Sequence, residues 1–501
     1  MLAWLGSLGW LVQREYFPNT GTAAQTFAAT LPPSATFYAM WSRDRQIGIA
    51  SATADTVEDG IRIVARQDLD LPLGEGPRRA IFSSNGHYSE DLRLQSFSSR
   101  LSGEAGGYLL EGTVEGDSLL LLSFTSSADS EPERYQLNLP GPILLPEAVS
   151  LSVARQGPPE VGREADVAVF DPVRLTLYRQ HLTVAAESIL VVPDSAEVDP
   201  VSGLWVPAHL DTLNAWRLDT WDRGIPVHLW VDQRGYVIAS RSPLGVRVER
   251  SAFEIVRGNY RGRGRAAIAT DALAPRCTPP PQSALDPSPS TYLAVRLAGA
   301  DTTGPDWVRL GLDGAAQTRR GDTILLHPVD ATVPEVSADD TQWMGLAAPM
   351  LALADRRVEA RARQIVRRTR EPRAIVEALV SWVSGNLSVA PDGVPQSAGR
   401  TLDRRRGSTS DIVLAFVALA RASGLSARPV AGFLQAEQNF HYHAWAEVYL
   451  DRWLPVDPVY GQVPVDGRHV RIVVDGLSRP LELVPLVARI RPEPAAGGDD
   501  S

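Results

Sequence analysis

The run His443-Ala444-Trp445-Ala446-Glu447-Val448-Tyr449 is followed within three residues by Arg452-Trp453-Leu454-Pro455-Val456-Asp457-Pro458. Both runs are rich in aromatic and β-branched residues, which predicts strands at His443–Leu450 and Arg452–Val456. A further strand is expected at Ala427–Phe433. Upstream, Gly407-Ser408-Thr409-Ser410-Asp411 precedes Val413, Phe416, Val417 and Ala420, which recur at helical spacing. A helix is therefore expected from about Ser410 to Ser423, with Gly424 as its stop. Met350–Thr369 and Pro372–Asn386 read as two more helices; Ile375, Leu379, Trp382 and Val383 form one apolar face of the second. Helices followed by antiparallel strands make this an α+β domain.

The chemistry at this place follows from residue types. A side chain at a helix N-terminus feels the positive end of the macrodipole and unpaired backbone N–H groups. A thiol there becomes a better nucleophile. A histidine on a neighbouring strand serves as general base, and an aspartate on the next strand orients its ring. The chain order would be nucleophile, His443, Asp457.

These motifs resemble the transglutaminase-like superfamily, a branch of the papain-like cysteine enzymes. The resemblance runs from roughly Leu351 to Ile490. It includes Phe416-Val417-Ala418-Leu419-Ala420-Arg421, Gly424-Leu425-Ser426-Ala427-Arg428-Pro429-Val430-Ala431-Gly432 and Tyr460-Gly461-Gln462. The N-terminal half resembles, more weakly, the β domain that accompanies this unit in bacterial cell-envelope proteins. The resemblance implies His443 as base, Asp457 as its orienter, and Trp445, Ser408 and Tyr442 as substrate-binding residues.

One departure bears on function. The family pattern at the helix head is Gly-Asp-Cys-Thr-Glu-His, whereas this chain reads Gly407-Ser408-Thr409-Ser410-Asp411-Ile412. Thr409 thus stands at the nucleophile position. A hydroxyl forms no thiolate–imidazolium pair, and threonine nucleophiles generally rely on an N-terminal amine that an internal residue lacks. Threonine is also a preferred helix N-cap, so Thr409 is expected to cap this helix. Loss of the ancestral chemistry is the expectation.

Other candidates are weaker. The single cysteine, Cys277, lies in a proline-rich stretch without helical or basic context, so an incidental thiol is expected there. His441 and His443 share a strand face and could join Asp457 around a metal, but no metal motif accompanies them. No metal and no cofactor are expected. Trp445 and Trp453 fit a groove or a core. The arginines between Arg356 and Arg373 read first as a solvated helix surface.

Outward from this unit the texture changes. Residues 266–290 form a proline-rich linker, with Arg257, Arg261, Arg263 and Arg265 before it. Solvation explains that basic patch better than nucleic acid, because no aromatic platform alternates with it beyond Tyr260. Residues 291–345 form a small β unit, 346–490 the α+β domain and 491–501 a flexible tail. From 34 to 265, short strand-like runs recur: Phe37–Trp41, Gln46–Ala52, Ile61–Ala65, Tyr108–Val114, Ser118–Phe124, Leu175–Leu182, Ser188–Val192, Val227–Val231 and Tyr236–Arg241. Glu58-Asp59-Gly60 marks a hairpin turn. This region is expected to be an antiparallel, strongly curved β domain. Residues 1–33 read as a membrane-anchor remnant and lead-in, or as a short apolar start that docks on the fold.

Composition bounds the rest. The 501 residues are 44% hydrophobic and 22% charged, which suits a multi-domain globular chain. One cysteine excludes a disulfide framework. A net charge of −10 argues against nucleic acid as a partner. All 49 basic residues are arginine, so self-crosslinking through lysine is excluded.

The expectation is a multi-domain α+β protein of the bacterial cell envelope, extracytoplasmic and membrane-anchored. Three functions remain open. The first is an inactive homologue that binds a peptide or protein amide in a retained cleft. The second is an active peptidase or acyltransferase using Thr409 or a water with His443 and Asp457. The third is a lipid- or envelope-polymer-binding β domain with a structural C-terminal domain.

Overall fold

The computed structural model describes residues 34–262, 279–285, 293–298, 312–326, 355–474 and 491–494, apart from short interruptions. The lead-in 1–33, Cys277 and most of the proline-rich linker lie outside the described residues. No described helix is long and apolar enough to cross a membrane.

The N-terminal region is one 15-stranded sheet. Its first run comprises β1 (Ser34–Ser42), β2 (Arg45–Val57), β3 (Gly60–Leu73), β4 (Gly76–Tyr88), β5 (Leu94–Gly103), β6 (Gly106–Glu115), β7 (Leu119–Ser126) and β8 (Glu133–Asn138). Its second comprises β9 (Ile143–Leu144), β10 (Glu164–Asp171), β11 (Thr176–Val198), β12 (Trp205–Asp222), β13 (Ile225–Val231), β14 (Val237–Arg241) and β15 (Val246–Arg250). β1–β8 and β10–β15 are antiparallel meanders, β9 adds to β10 in parallel, and β1 pairs with β15 to join the two runs. The two ends of the sheet, β8 and β9, are neighbours in sequence, so the sheet curls back on itself. Side chains from distant strands meet inside: the Phe97 and Phe170 rings lie 5.4 Å apart, and Tyr108 Oη donates to the Pro172 carbonyl at 2.8 Å. The expected curvature is present, and a 3-10 helix, Pro146–Ala154, fills much of the concave side.

The elements are longer than the sequence runs suggest. Leu175–Leu182 and Ser188–Val192, read as two strands, belong to the single 23-residue β11. Register shifts near Val184 and Ala186 absorb the polar interruption between them. The strand-like region also ends in a helix, α1 (Phe253–Gly262), packed on β1, β2 and β12.

A small sheet follows. It comprises β16 (Leu293–Ala298), β17 (Gln317–Arg320) and β18 (Thr323–Leu326). Four residues expected within a flexible tail form the last strand, β25 (Arg491–Pro494), which pairs with β16.

The C-terminal domain contains α2 (Arg356–Val366), α3 (Pro372–Asn386), α4 (Ala398–Arg404) and α5 (Thr409–Ala422). Strands β19 (Ser388–Val389) and β20 (Arg406–Gly407) form a short parallel pair. The main sheet has the order β23 (Trp453–Val456), β22 (Asn439–Tyr449), β21 (Ala427–Ala436), β24 (His469–Val474). Every α5 side chain from Ser410 to Ala420 is buried, as befits a central helix enclosed on all sides. Its core partners include Ala444, Ala446 and Val448 on one face of β22. His441, His443, Trp445 and Glu447 therefore occupy the opposite face.

Among the described residues, the two large domains meet at an ionic cluster. Glu133 of β8 accepts from Arg357 at 3.0 Å and from the Tyr135 hydroxyl at 2.8 Å, and pairs ionically with Arg400 at 3.1 Å. Arg357 also pairs with Asp355 and Asp403. Arg357, one arginine of the expected solvated surface, is thus engaged.

Candidate active site

The head of α5 is fixed by a capping box. Ser408, not Thr409, is the N-cap: its Oγ accepts from the Asp411 N–H at 3.2 Å. The Asp411 carboxylate accepts the Ser408 N–H at 3.0 Å and the Ser408 hydroxyl at 2.7 Å. It also accepts the Gln396 N–H at 3.3 Å. This reciprocal pairing satisfies donors that the helix cannot. Gly407 is required beside it, because a Cβ there would stand 2.9 Å from Asp411 Cβ and from Gln396 Nε2. The expectation that Thr409 caps the helix is corrected. Thr409 is the first helical residue, half-buried, and its hydroxyl is hydrogen-bonded to no described residue.

His443 and Asp457 come together as expected. His443 Nε2 lies 2.7 Å from Asp457 Oδ2, and neither side chain has solvent exposure. Asp457 is held in turn by its own loop. Its Oδ1 accepts from the Val459 N–H at 2.8 Å and the Tyr460 N–H at 3.1 Å. Its backbone exchanges two hydrogen bonds with Gln462. With Nε2–H donating to the carboxylate, His443 keeps a bare Nδ1. That atom is buried and has no hydrogen-bond partner among the described residues. Thr409 and His443 are therefore not joined by a hydrogen bond.

A second histidine completes the cluster. His469 Nε2 lies 3.0 Å from Asp457 Oδ2, and its Nδ1 lies 3.2 Å from Asp466 Oδ1. Both ring nitrogens thus face carboxylates, an arrangement that an imidazolium satisfies fully. Burial alone would lower the His469 pKa. The bonds and charges of Asp457 and Asp466 outweigh it and raise the value to about 9. Burial pushes the Asp457 carboxyl up, but His443 and His469 together hold it well below the ordinary carboxylate range.

Backbone geometry explains why His469 reaches this place. Gly432 stands opposite both His443 on β22 and Arg471 on β24. A Cβ on Gly432 would lie 2.0 Å from the Val470 carbonyl oxygen. Only glycine lets β24 approach so closely. A register shift at Ala431/Gly432 sets the strand that carries His469.

Sequence reasoning paired His441 with His443 and missed His469. His441 is buried on the same strand face, but the structure gathers His443, Asp457 and His469, whose ligating atoms all lie within 4.8 Å of one another. Three such side chains could hold a metal. The nitrogen atoms nearest Asp457 are already used as hydrogen-bond donors to one oxygen, so a hydrogen-bonded relay fits the geometry better. The alternating polar residues His469 and Arg471 in His469-Val470-Arg471-Ile472-Val473-Val474 were the available signal.

The remaining expected site residues take different places. Trp445 is buried and stacks on His443, with ring centroids 6.1 Å apart and planes at 18°. Tyr442 is buried on the opposite face of β22, its ring 5.4 Å from that of Phe433. Trp453 is core, with the Arg428 guanidinium 3.8 Å above its ring. Arg428 and Arg471 both bind Glu447, at 2.7 and 3.0 Å. Burial pushes the Glu447 carboxyl up, and those two guanidiniums more than offset it. Tyr460 packs 5.2 Å from His443, and its hydroxyl donates to the Pro280 carbonyl at 2.7 Å. A strap from the proline-rich segment thus lies against the site, with Leu285 packed near Leu434 and Tyr460.

Residues 359–458 match the family model described as the transglutaminase-like superfamily. This segment belongs to that superfamily. The match ends one residue past Asp457 and so leaves His469 outside it. The matched segment contains no cysteine, since the chain's only one is Cys277.

A search of curated proteins finds no match. Among solved structures, a β-barrel-like protein of a domain of unknown function from Brucella abortus is 12% identical, covering 44% of this chain and 95% of that one, with a TM-score of 0.29. A protein named as a candidate cysteine protease from Cytophaga hutchinsonii is 14% identical, covering 59% and 71%, with a TM-score of 0.23. A further protein from Pseudomonas aeruginosa is 13% identical, covering 38% and 87%, with a TM-score of 0.22. Likenesses at this level carry no argument about function.

Proposed function

We propose that the transglutaminase-like domain is a non-catalytic member of its superfamily that acts by binding a peptide or protein amide. The observation that carries this reading is the state of the nucleophile position. The matched segment has no cysteine, and Thr409 at the head of α5 makes no hydrogen bond to His443. A hydroxyl without an engaged base is a poor nucleophile at neutral pH. The enclosure of His443 by Trp445, Tyr460 and His469 supports the non-catalytic half of the reading. The His443–Asp457 pair then serves to hold β22, β23 and the loop after Asp457 together.

The test is turnover. Ammonia release from a glutaminyl peptide and cleavage of a denatured protein should both stay at background. Turnover that disappears in Thr409→Ala and in His443→Ala would overturn the proposal.

A second reading is favoured by one observation. His443 Nδ1 carries an unshared lone pair while Nε2 is held by Asp457, which is the tautomer that a general base needs. Thr409 or a water would then attack an amide carbonyl carbon, with His443 taking the proton and passing it to the amine that leaves as the C–N bond breaks. The same turnover experiment decides between the two. The cell-envelope setting remains part of the proposal, and fractionation of cells expressing the full chain tests it.

A further inference from the structure

A row of small side chains crosses five strands on the inner face of the large sheet. The register places Thr36 beside Ala52, Ala52 beside Ala65, Ala65 beside Ser84 and Ser84 beside Ser99. Ala50 and Ala54 flank Ala52 on the same face of β2, two residues away on either side. Neighbouring inner positions carry large residues: Phe82, Phe97, Leu101 and Phe124 fill the core. The small row leaves space that those rings do not reach. A cavity of about 190 Å3 lies there, between the strands and the 3-10 helix.

The cavity opens partly to solvent, and its apolar walls are covered more favourably by an apolar body than by water. The cavity walls are chiefly apolar, with Ala50, Ala52, Ala54 and Ala65 on the sheet side and Leu151 on the helix side. Two polar groups on the 3-10 helix also line it. Ser150 is buried. Glu147 Oε1 is shut off from solvent and has no hydrogen-bond partner among the described residues, while Ser84 hydrogen-bonds the carboxyl group. A buried polar group is costly to leave unpaired. The unpaired Glu147 oxygen points to a ligand whose polar end meets the helix.

We propose that this cavity binds an uncharged, mainly apolar molecule bearing one hydrogen-bond-accepting oxygen, with Glu147 as the donor to that oxygen. The apolar body lies on the alanine row, and the oxygen faces the 3-10 helix. Burial raises the Glu147 carboxyl, which favours its protonated, donating form. Arg66 also borders the cavity, but it is adjacent to Ala65 on β3 and so belongs to the other face of the sheet, away from Glu147. The proposal concerns the β domain and stands independently of any activity at Asp457.

The test uses the full chain and the uncharged fluorophore N-phenyl-1-naphthylamine. Saturable binding is expected, with displacement by 1-decanol and displacement about ten-fold weaker by decanoate and by decylamine. Filling the cavity with Ala52→Leu or Ala65→Leu should weaken binding by about ten-fold or more, with circular dichroism confirming the fold. Glu147→Gln, which still donates, should keep decanol displacement. Glu147→Leu should reduce it about ten-fold. Should the alanine variants fail to fold, the two Glu147 variants and the three competitors decide the matter. Absence of saturable binding, unchanged binding in a folded Ala52→Leu chain, or preferential displacement by decylamine would each overturn the proposal.

Discussion

His469 donates to Asp457 at 3.0 Å across two strands that the family match does not connect, and so shares one carboxylate oxygen with His443. The relay His443–Asp457–His469–Asp466 is therefore longer than a histidine–aspartate pair. It ties the loop after β23 to the edge strand β24.

The relay makes stability depend on pH. His469 has its pKa raised from 6.5 to about 9. A raised histidine contributes stability that is fully present below its unfolded value and is lost as pH rises through the folded one. Unfolding free energy measured with denaturant should therefore fall between neutral pH and about pH 10, by on the order of 2 kcal/mol. His469→Gln should be less stable at neutral pH and show a flatter profile over this range. An unchanged slope in the variant would contradict the assignment. Asp457, held low, has the opposite sign: its contribution is present above 3.8 and is lost only in acid.

The capping box should be worth more at Asp411 than at Ser408. Ser408→Ala removes one cap and should cost about 1 kcal/mol. Asp411 is buried and accepts hydrogen bonds from Ser408 and Gln396. Asp411→Ala leaves those donors unpaired and should cost about 3 kcal/mol. Thr409→Ala should change stability by less than either. Denaturation midpoints at one fixed pH check the order.

Glu133 should couple the two domains. It receives Arg357 and Arg400 from the C-terminal domain with its own side chain 9% exposed. Glu133→Ala leaves two arginines without that partner, and a broken buried pair costs more than an exposed one. The expected outcome is a split of one thermal transition into two, seen by calorimetry. A single unshifted transition would show that the cluster does not hold the domains.

Much of the C-terminal domain was legible because local signals agreed there. Glu371 and Pro372 start α3 at the expected residue, and its apolar face is Ile375, Leu379 and Val383 as the spacing suggests. Other features depended on tertiary structure. The helix α4 is one short turn pair capped by Ser397, too brief to show a period. His469 reaches Asp457 only because Gly432 lets two strands approach, a long-range contact that spacing cannot reveal. The cap was assigned to Thr409 because threonine and serine are both good N-caps, and the Ser408–Asp411 box separates them only in three dimensions. In the β domain the sequence runs fall on β1, β2, β3, β6, β7, β11, β13 and β14, whereas β4, β5, β8, β9, β10, β12 and β15 had no expected counterpart; β11 was also underestimated, since it continues through Glu187 and Asp194 with register shifts that sequence periodicity reads as breaks.

The central claim is that the site keeps its histidine–aspartate half and has lost its nucleophile at position 409. The direct measurement is the alkylation rate against pH of a chain carrying Thr409→Cys and Cys277→Ser, with and without His443→Ala. The account predicts fast alkylation at neutral pH that slows to the ordinary thiol profile, with a pKa of about 8.5, once His443 is removed. An ordinary profile in both chains would contradict it, because His443 would then not serve the residue at the head of α5.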